Sequence, residues 1–249
     1  MPTSIDVERT FADFVRRHGG EVVEDLVGPS PDFHNADYLF RSNGVVAELK
    51  RLVDDKSEDE NIKLKIQQKF DRWMDDGTIG PIYGRVRVES KTLPENCQRE
   101  LIDVYKPAIQ RRIIKANKQI KATLNRFRIQ NGRGLLIVVN DGNYALEADA
   151  ALYLINRVLG SNFRQINSVV YCTVNMFGSS PLTSKPTLIW VNARRGSVPA
   201  IEENFVMGLF QGWNAYLTEL TGMPIEEILL DDPVHVERIR YTRGAQPTP

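Results

Sequence analysis

The stretch that decides the fold is PDFHNADYLF (31–40), followed across Arg41-Ser42-Asn43-Gly44 by VVAELKRL (45–52). Ala36 to Phe40 and Val45 to Leu52 have the apolar content of strands, and Asn43-Gly44 is the strongest short hairpin signal available. Side chains alternate along a strand. Glu48 and Lys50 therefore share one face, with Ala47, Leu49 and Arg51 opposite. Asp37 begins the preceding strand, just across the hairpin. Two carboxylates and one ammonium can thus meet at one end of a sheet. Charged groups flanked by Val45, Val46, Leu49 and Leu52 need partners or a metal. The alternative use of Glu48 and Lys50 is the polar face of a half-buried strand.

Working outward, residues 4–18 are expected to form a helix capped by Ser4 and ended by Gly19-Gly20. A short strand is expected over 21–26, and a turn at Gly28 to Asp32. Residues 53–61, VDDKSEDEN, are dominated by charge and read as a solvated loop or helix entry. Helical spacing marks 62–75, and 76–95 looks irregular. A long helical region is expected from about Gln98 to Gln130, broken near Pro107. Leu135 to Asn140 is a continuous apolar run, the mark of a strand covered on both faces. A helix over 145–159, strands over 168–174 and 187–192, and a helix over 201–220 complete the pattern. Residues 244–249 are expected to be disordered. The order implies a mixed α/β fold, an antiparallel hairpin feeding a sheet flanked by helices.

The residue types suit one chemistry. Mg²⁺ prefers a few carboxylates and keeps several waters, so Asp37 and Glu48 suit a partial shell, which the Leu49 backbone carbonyl could extend. Lys50 could orient an attacking water and stabilise charge on a phosphate. A metal-activated water attacking a phosphodiester is the reaction such a site supports.

Asp37 followed by Glu48-x-Lys50 on the next strand resembles the PD-(D/E)XK nuclease-like superfamily, over roughly residues 4–140. The literal Pro-Asp pair, Pro31-Asp32, lies in a Pro-rich turn, so Asp37 is the better match. The resemblance implies a restriction-endonuclease-like mixed sheet flanked by helices and a Mg²⁺-dependent nuclease (Mn²⁺ as substitute) acting on nucleic acid, DNA being the expected form. It implies Asp37 and Glu48 as metal ligands, Lys50 as catalytic lysine, and Glu8 as a further acidic ligand. One domain is expected over 1–243, with its core at about 4–52 and 106–192 and a helical insertion at about 53–105.

Charge placement adds a second signal. Lys+Arg and Asp+Glu both count 32, so the net charge is zero and any affinity for nucleic acid must come from local clustering. From Lys106 to Arg133 the chain carries Lys106, Arg111, Arg112, Lys115, Lys118, Lys121, Arg126, Arg128 and Arg133 with no Asp or Glu. Arg111, Lys115, Lys118 and Lys121 are candidate phosphate contacts. Gln119 joins them through the resemblance, since such nucleases often place a polar Lys or Gln on the helix beside the site. The alternative is a solvated helix face pairing with the acids of 54–60. A non-catalytic nucleic-acid-binding or scaffold protein on the same fold is the rival function.

Other classes lack support. The two cysteines, Cys97 and Cys172, exclude a disulfide framework and a cysteine-rich zinc site. No GxxxxGK[ST], GxSxG or HExxH motif occurs. The start MPTSIDVERTF lacks a signal-peptide pattern, and no apolar run approaches the ~20 residues that span a bilayer. A cytoplasmic address without a membrane partner is expected. Phe205, Phe210, Trp213 and Tyr216 suit a core helix or a homodimer surface. His34 lies near Asp37. His18, His235 and Asp231-Asp232 lack ligand company.

Overall fold

The computed structural model describes residues 4–53, 59–84, 88–144, 146–160, 163–176, 178–180, 183–194, 198–222 and 240–241. The expectations for 54–58, for Asp231, Asp232 and His235, and for the 244–249 tail lie outside the described residues.

Helix α1 (Val7–Arg17) starts at Asp6 rather than Ser4, because the Asp6 carboxylate accepts the Arg9 N–H at 3.2 Å. Gly19, at φ +78°, turns the chain out of it. Strand β1 (Glu21–Val22) is only two residues long and passes directly into α2 (Val23–Val27), where a strand to Leu26 was expected. The reason is the partner. β2 (Tyr38–Phe40) offers three residues, and the chain before it is diverted onto a helix, so nothing remains for a longer β1 to pair with. A single 3₁₀ turn, Arg41–Asn43, and Gly44 at φ +61° connect β2 to β3 (Val45–Leu52).

Helix α3 (Glu60–Asp75) is capped by Asp59. The long helical region divides into α4 (Glu95–Asp103) and α5 (Lys106–Arg126). Pro107 sits in the first turn of α5, where its missing N–H costs nothing. Strand β4 (Arg133–Asp141), α6 (Ala148–Leu159) and β5 (Ser168–Val174) follow. Where one strand was expected over 187–192 there are two, β7 (Thr183–Thr187) and β8 (Trp190–Arg194), after the short β6 (Gly178–Ser180). The chain changes sheets between them: Ile189 exchanges hydrogen bonds with Thr173, and β8 then pairs with β5. Helix α7 spans Glu203–Thr221, and β9 is Arg240–Tyr241.

The main sheet has six strands in the order β1-β2-β3-β4-β5-β8, and β7-β6-β9 form a small second sheet. β2 runs antiparallel to both of its neighbours, β1 and β3; β3, β4 and β5 are parallel, and β8 returns antiparallel. The alternation in β3 assigns its faces. Val46 and Leu52 pack with Leu136, Val138 and the apolar side of α5 (Ile109, Ile113, Ile120) and α6. Val45, Ala47 and Leu49 pack with Leu135, Ile137, Val139 and helices α1 and α7. β4 is buried on both faces, as its uninterrupted apolar run requires. The aromatic residues of α7 serve this second layer. Trp213 is buried against Phe11 and Phe14, Phe205 packs on Phe40, and Phe210 on Trp190.

Gly134 marks the tightest approach in the sheet. A Cβ there would lie 1.8 Å from the Gln165 carbonyl oxygen and 2.8 Å from Ile120. Gly134→Ala is expected to lose about 3 kcal/mol, the upper end of overpacking costs. Gly208, in α7 with open space around it, is the control. Gly208→Ala should gain roughly 0.5–1 kcal/mol by favouring the helix. Urea titration of both variants checks the pair; equal stabilities would refute the packing described.

Candidate active site

The site lies where β2 and β3 part company. Their register sets Tyr38 opposite Ala47. One step further, Asp37 falls opposite Glu48, and a continued ladder would put Ala36 opposite Leu49. The ladder does not continue. The Ala36 N–H is taken by Thr123 Oγ1 of α5 at 2.7 Å, and the Asn35 carbonyl by Gln119 Nε2 at 2.7 Å. The vacated place is filled by a side chain: Asp37 Oδ2 accepts the Leu49 N–H at 2.7 Å. In a strand the N–H and C=O of one residue face the same edge. The Leu49 carbonyl therefore faces the edge where Asp37 stands.

Glu48 and Lys50 project from β3 toward α5. Glu48 is fully buried. Its Oε1 accepts from Lys50 Nζ, while its Oε2 is buried without a hydrogen-bond partner. Lys50 Nζ also donates to Gln119 Oε1 at 3.0 Å, and its side chain keeps 15% of its surface exposed. The ammonium thus lies between Glu48 and Gln119 on a side chain that is mostly buried.

Burial pushes the Glu48 carboxyl up to about 8, and the neighbouring Asp37 charge pushes the same way, while Lys50 pulls it back. Burial likewise raises Asp37; the Leu49 N–H and Lys50 oppose the rise and Glu8 adds to it. Two carboxylates in a poorly solvated corner share one adjacent ammonium, with Lys115 of α5 contributing from further off. Ionised together, the pair carries more negative charge than Lys50 cancels. Among the described residues no group of three or more His, Cys, Asp and Glu side chains converges on a metal position. Two carboxylates and a main-chain carbonyl nevertheless fit Mg²⁺, which takes few protein ligands and keeps its waters. The buried Glu48 oxygen, an acceptor without a donor, fits it as well.

Comparison with protein-family models, with curated proteins and with solved structures finds no match.

Asp37, Glu48, Leu49, Lys50 and Gln119 come together. Glu8 does not join them as a free ligand. It projects from α1 on the other side of the sheet, largely exposed, with its carboxylate 3.5 Å from Arg51 Nη1. Arg51 is committed more closely to Asp141, whose Oδ2 accepts from Nε at 3.0 Å and Nη2 at 2.5 Å. Arg111, Lys115, Lys118 and Lys121 are exposed along α5. Of the acids proposed to neutralise them, Asp59 caps α3 and Glu60 pairs with Lys63. His34 is exposed on the approach to β2. Among the described residues no helix is long and apolar enough to cross a membrane.

Thr123 and the Asn35 carbonyl were missed by sequence reasoning, and Arg112 was read only as part of the basic run, not as a donor to the Arg51 carbonyl. Arg112, Ala116, Gln119 and Thr123 recur at helical spacing, so a stripe of polar groups around a small residue could have been noticed on α5.

A carboxyl group that holds its proton up to about 8 folded, against 4.5 unfolded, makes the native chain bind more protons between those values. Its stabilisation is complete below about 4.5 and declines as pH rises toward 8. Glu48→Gln, isosteric with the protonated acid, removes that decline. The variant should match the wild type near pH 4.5 and exceed it increasingly toward pH 8, by at most about 1.4 kcal/mol for each pH unit. Urea unfolding across pH 4.5–8.5 reads this; a difference that does not vary with pH would show that Glu48 titrates normally.

Proposed function

We propose that the protein is a Mg²⁺-dependent nuclease that hydrolyses phosphodiester bonds, with DNA as the expected substrate, on a restriction-endonuclease-like core. One observation carries the proposal: a fully buried Glu48 with one unpartnered oxygen, set opposite Asp37 at a strand divergence and flanked by Lys50. Most buried carboxylate oxygens have a hydrogen-bond partner, so the orphaned one on Glu48 is a position that a donor or a cation would satisfy. The strand order supports the same reading, with an antiparallel β1-β2-β3 unit, then a helical crossover to a parallel β4, as the resemblance in Asp37 and Glu48-x-Lys50 implies.

Asp37, Glu48 and the Leu49 carbonyl are the groups that would hold the ion. Bound there, Mg²⁺ would supply positive charge against a phosphate and make a water molecule more acidic. Lys50, held between Glu48 and Gln119, keeps its partly exposed nitrogen beside the two carboxylates. From Nζ it can donate to a phosphate oxygen as negative charge develops and orient the attacking water. Arg111, Lys115, Lys118 and Lys121 lie along the exposed side of α5, the helix that covers Glu48 and Lys50, and would contact the phosphate backbone. Glu8 bears on the site through its field at Asp37, with Arg51 holding its carboxylate.

Incubated with plasmid and single-stranded DNA and with RNA in Mg²⁺ or Mn²⁺, the protein should cleave at least one of them. Asp37→Ala, Glu48→Ala and Lys50→Ala should each lower the rate by about 10²-fold or more while circular dichroism stays native. Cleavage indifferent to all three would reject the site. Tight binding with no cleavage in either ion would favour the non-catalytic alternative.

Binding supplies a separate check. Lys118→Ala and Lys121→Ala should each reduce the slope of log affinity against log salt by about one. Unchanged slopes would remove α5 from the nucleic-acid interface.

A further inference from the structure

We propose that Gln119 and Thr123, one turn apart on α5, are positioning residues that strap the chain before Asp37 and thereby create the divergence at which Asp37, Glu48 and Lys50 meet. The geometry is reciprocal. Thr123 Oγ1 accepts the Ala36 N–H at 2.7 Å, and Thr123 and Ala36 are both fully buried. Gln119 Nε2 donates to the Asn35 carbonyl at 2.7 Å, and the same amide's Oε1 accepts from Lys50 Nζ at 3.0 Å.

The amide cannot be reversed without losing both bonds. A carbonyl can only accept and an ammonium can only donate, so Asn35 and Lys50 together dictate which end of Gln119 faces each. Gln119 therefore couples the strand that brings Asp37 to the lysine of the next strand. Its partly buried amide is occupied by protein on both ends, unlike the exposed Lys118 beside it. The nucleic-acid contact expected of Gln119 gives way to this internal role.

The strap explains why β2 stops at Tyr38. With the Ala36 N–H and the Asn35 carbonyl held by α5, the main chain leaves the ladder, and the Asp37 carboxylate takes the Leu49 N–H instead. A third contact on the same stripe, Arg112 Nε to the Arg51 carbonyl at 3.2 Å, holds β3 just beyond Lys50. Ala116 lies between Arg112 and Gln119, fully buried, and its short side chain leaves room on the helix face that covers β3. α5 thus grips the chain on either side of the site.

The kinetic part of the test rests on the nuclease reading; the exchange part does not. In the full-length protein, Thr123→Val and Gln119→Leu should speed amide hydrogen exchange at Leu49 by about tenfold, the loss expected for one hydrogen bond, with Val139 in β4 unchanged as the reporter of an intact fold. Thr123→Ser, which keeps the acceptor, should exchange as the wild type does. With DNA and Mg²⁺, the first two variants should lower kcat by about tenfold or more and leave KM within about twofold, because the substrate-facing surface is untouched. Leu49 exchange at the wild-type rate in both variants overturns the proposal, and so does a raised KM with unchanged kcat. A wild type that cleaves nothing refutes the nuclease reading, and Leu49 exchange then decides the strap alone. If Thr123→Val fails to fold, Gln119→Leu carries the decision.

Discussion

One hydrogen bond organises this molecule: the Leu49 N–H held by a carboxylate where a strand neighbour would otherwise sit. Backbone groups in a sheet interior must find partners. When β2 leaves β3 after three paired residues, the N–H of Leu49 would be orphaned, and Asp37 satisfies it from the side chain. That substitution opens a notch in the sheet and lines it with acid. Everything chemically distinctive follows from the notch, because Glu48 then faces Asp37 instead of a packed hydrophobic partner.

The arrangement is costly to an isolated fold. A sealed carboxyl with one unsatisfied oxygen loses hydration that Lys50 only partly replaces. Burial is the main cause of the upward push on both Asp37 and Glu48. The stabilising side comes from the layers around it. β4 is covered on both faces, Trp213 and Phe11 close the side of α1 and α7, and Ile113 and Ile120 of α5 close the other. The notch sits where the β2–β3 ladder ends, while β3 stays fully paired with β4 on its other edge.

Helix α5 reconciles the two demands. One face is apolar and completes the core through Ile109, Ile113 and Ile120. A neighbouring stripe, Arg112, Gln119 and Thr123, reaches the main chain around the notch. The outer face carries Arg111, Lys115, Lys118 and Lys121 into solvent. A single helix thus packs, positions and presents charge, with each task assigned by its 3.6-residue period.

Much of this was legible in the chain. The alternation in 45–52 determined that Glu48 and Lys50 share a face, since a strand's side chains can point only two ways. The unbroken apolar run of β4 determined that it is covered on both sides. Asn43-Gly44 marked the turn, and the acid-free stretch from 106 to 133 marked a basic helix. Other features were settled only in three dimensions. β1 is cut to two residues because its partner strand is diverted elsewhere, and the expected strand at 187–192 divides because Ile189 crosses between sheets. Glu8 is held by Arg51, across the sheet from Glu48. Gln119 and Thr123 grip residues more than eighty positions away. Local sequence sets the period and direction of a side chain. Which distant main-chain group it meets depends on how the layers stack, and that is a property of the whole fold.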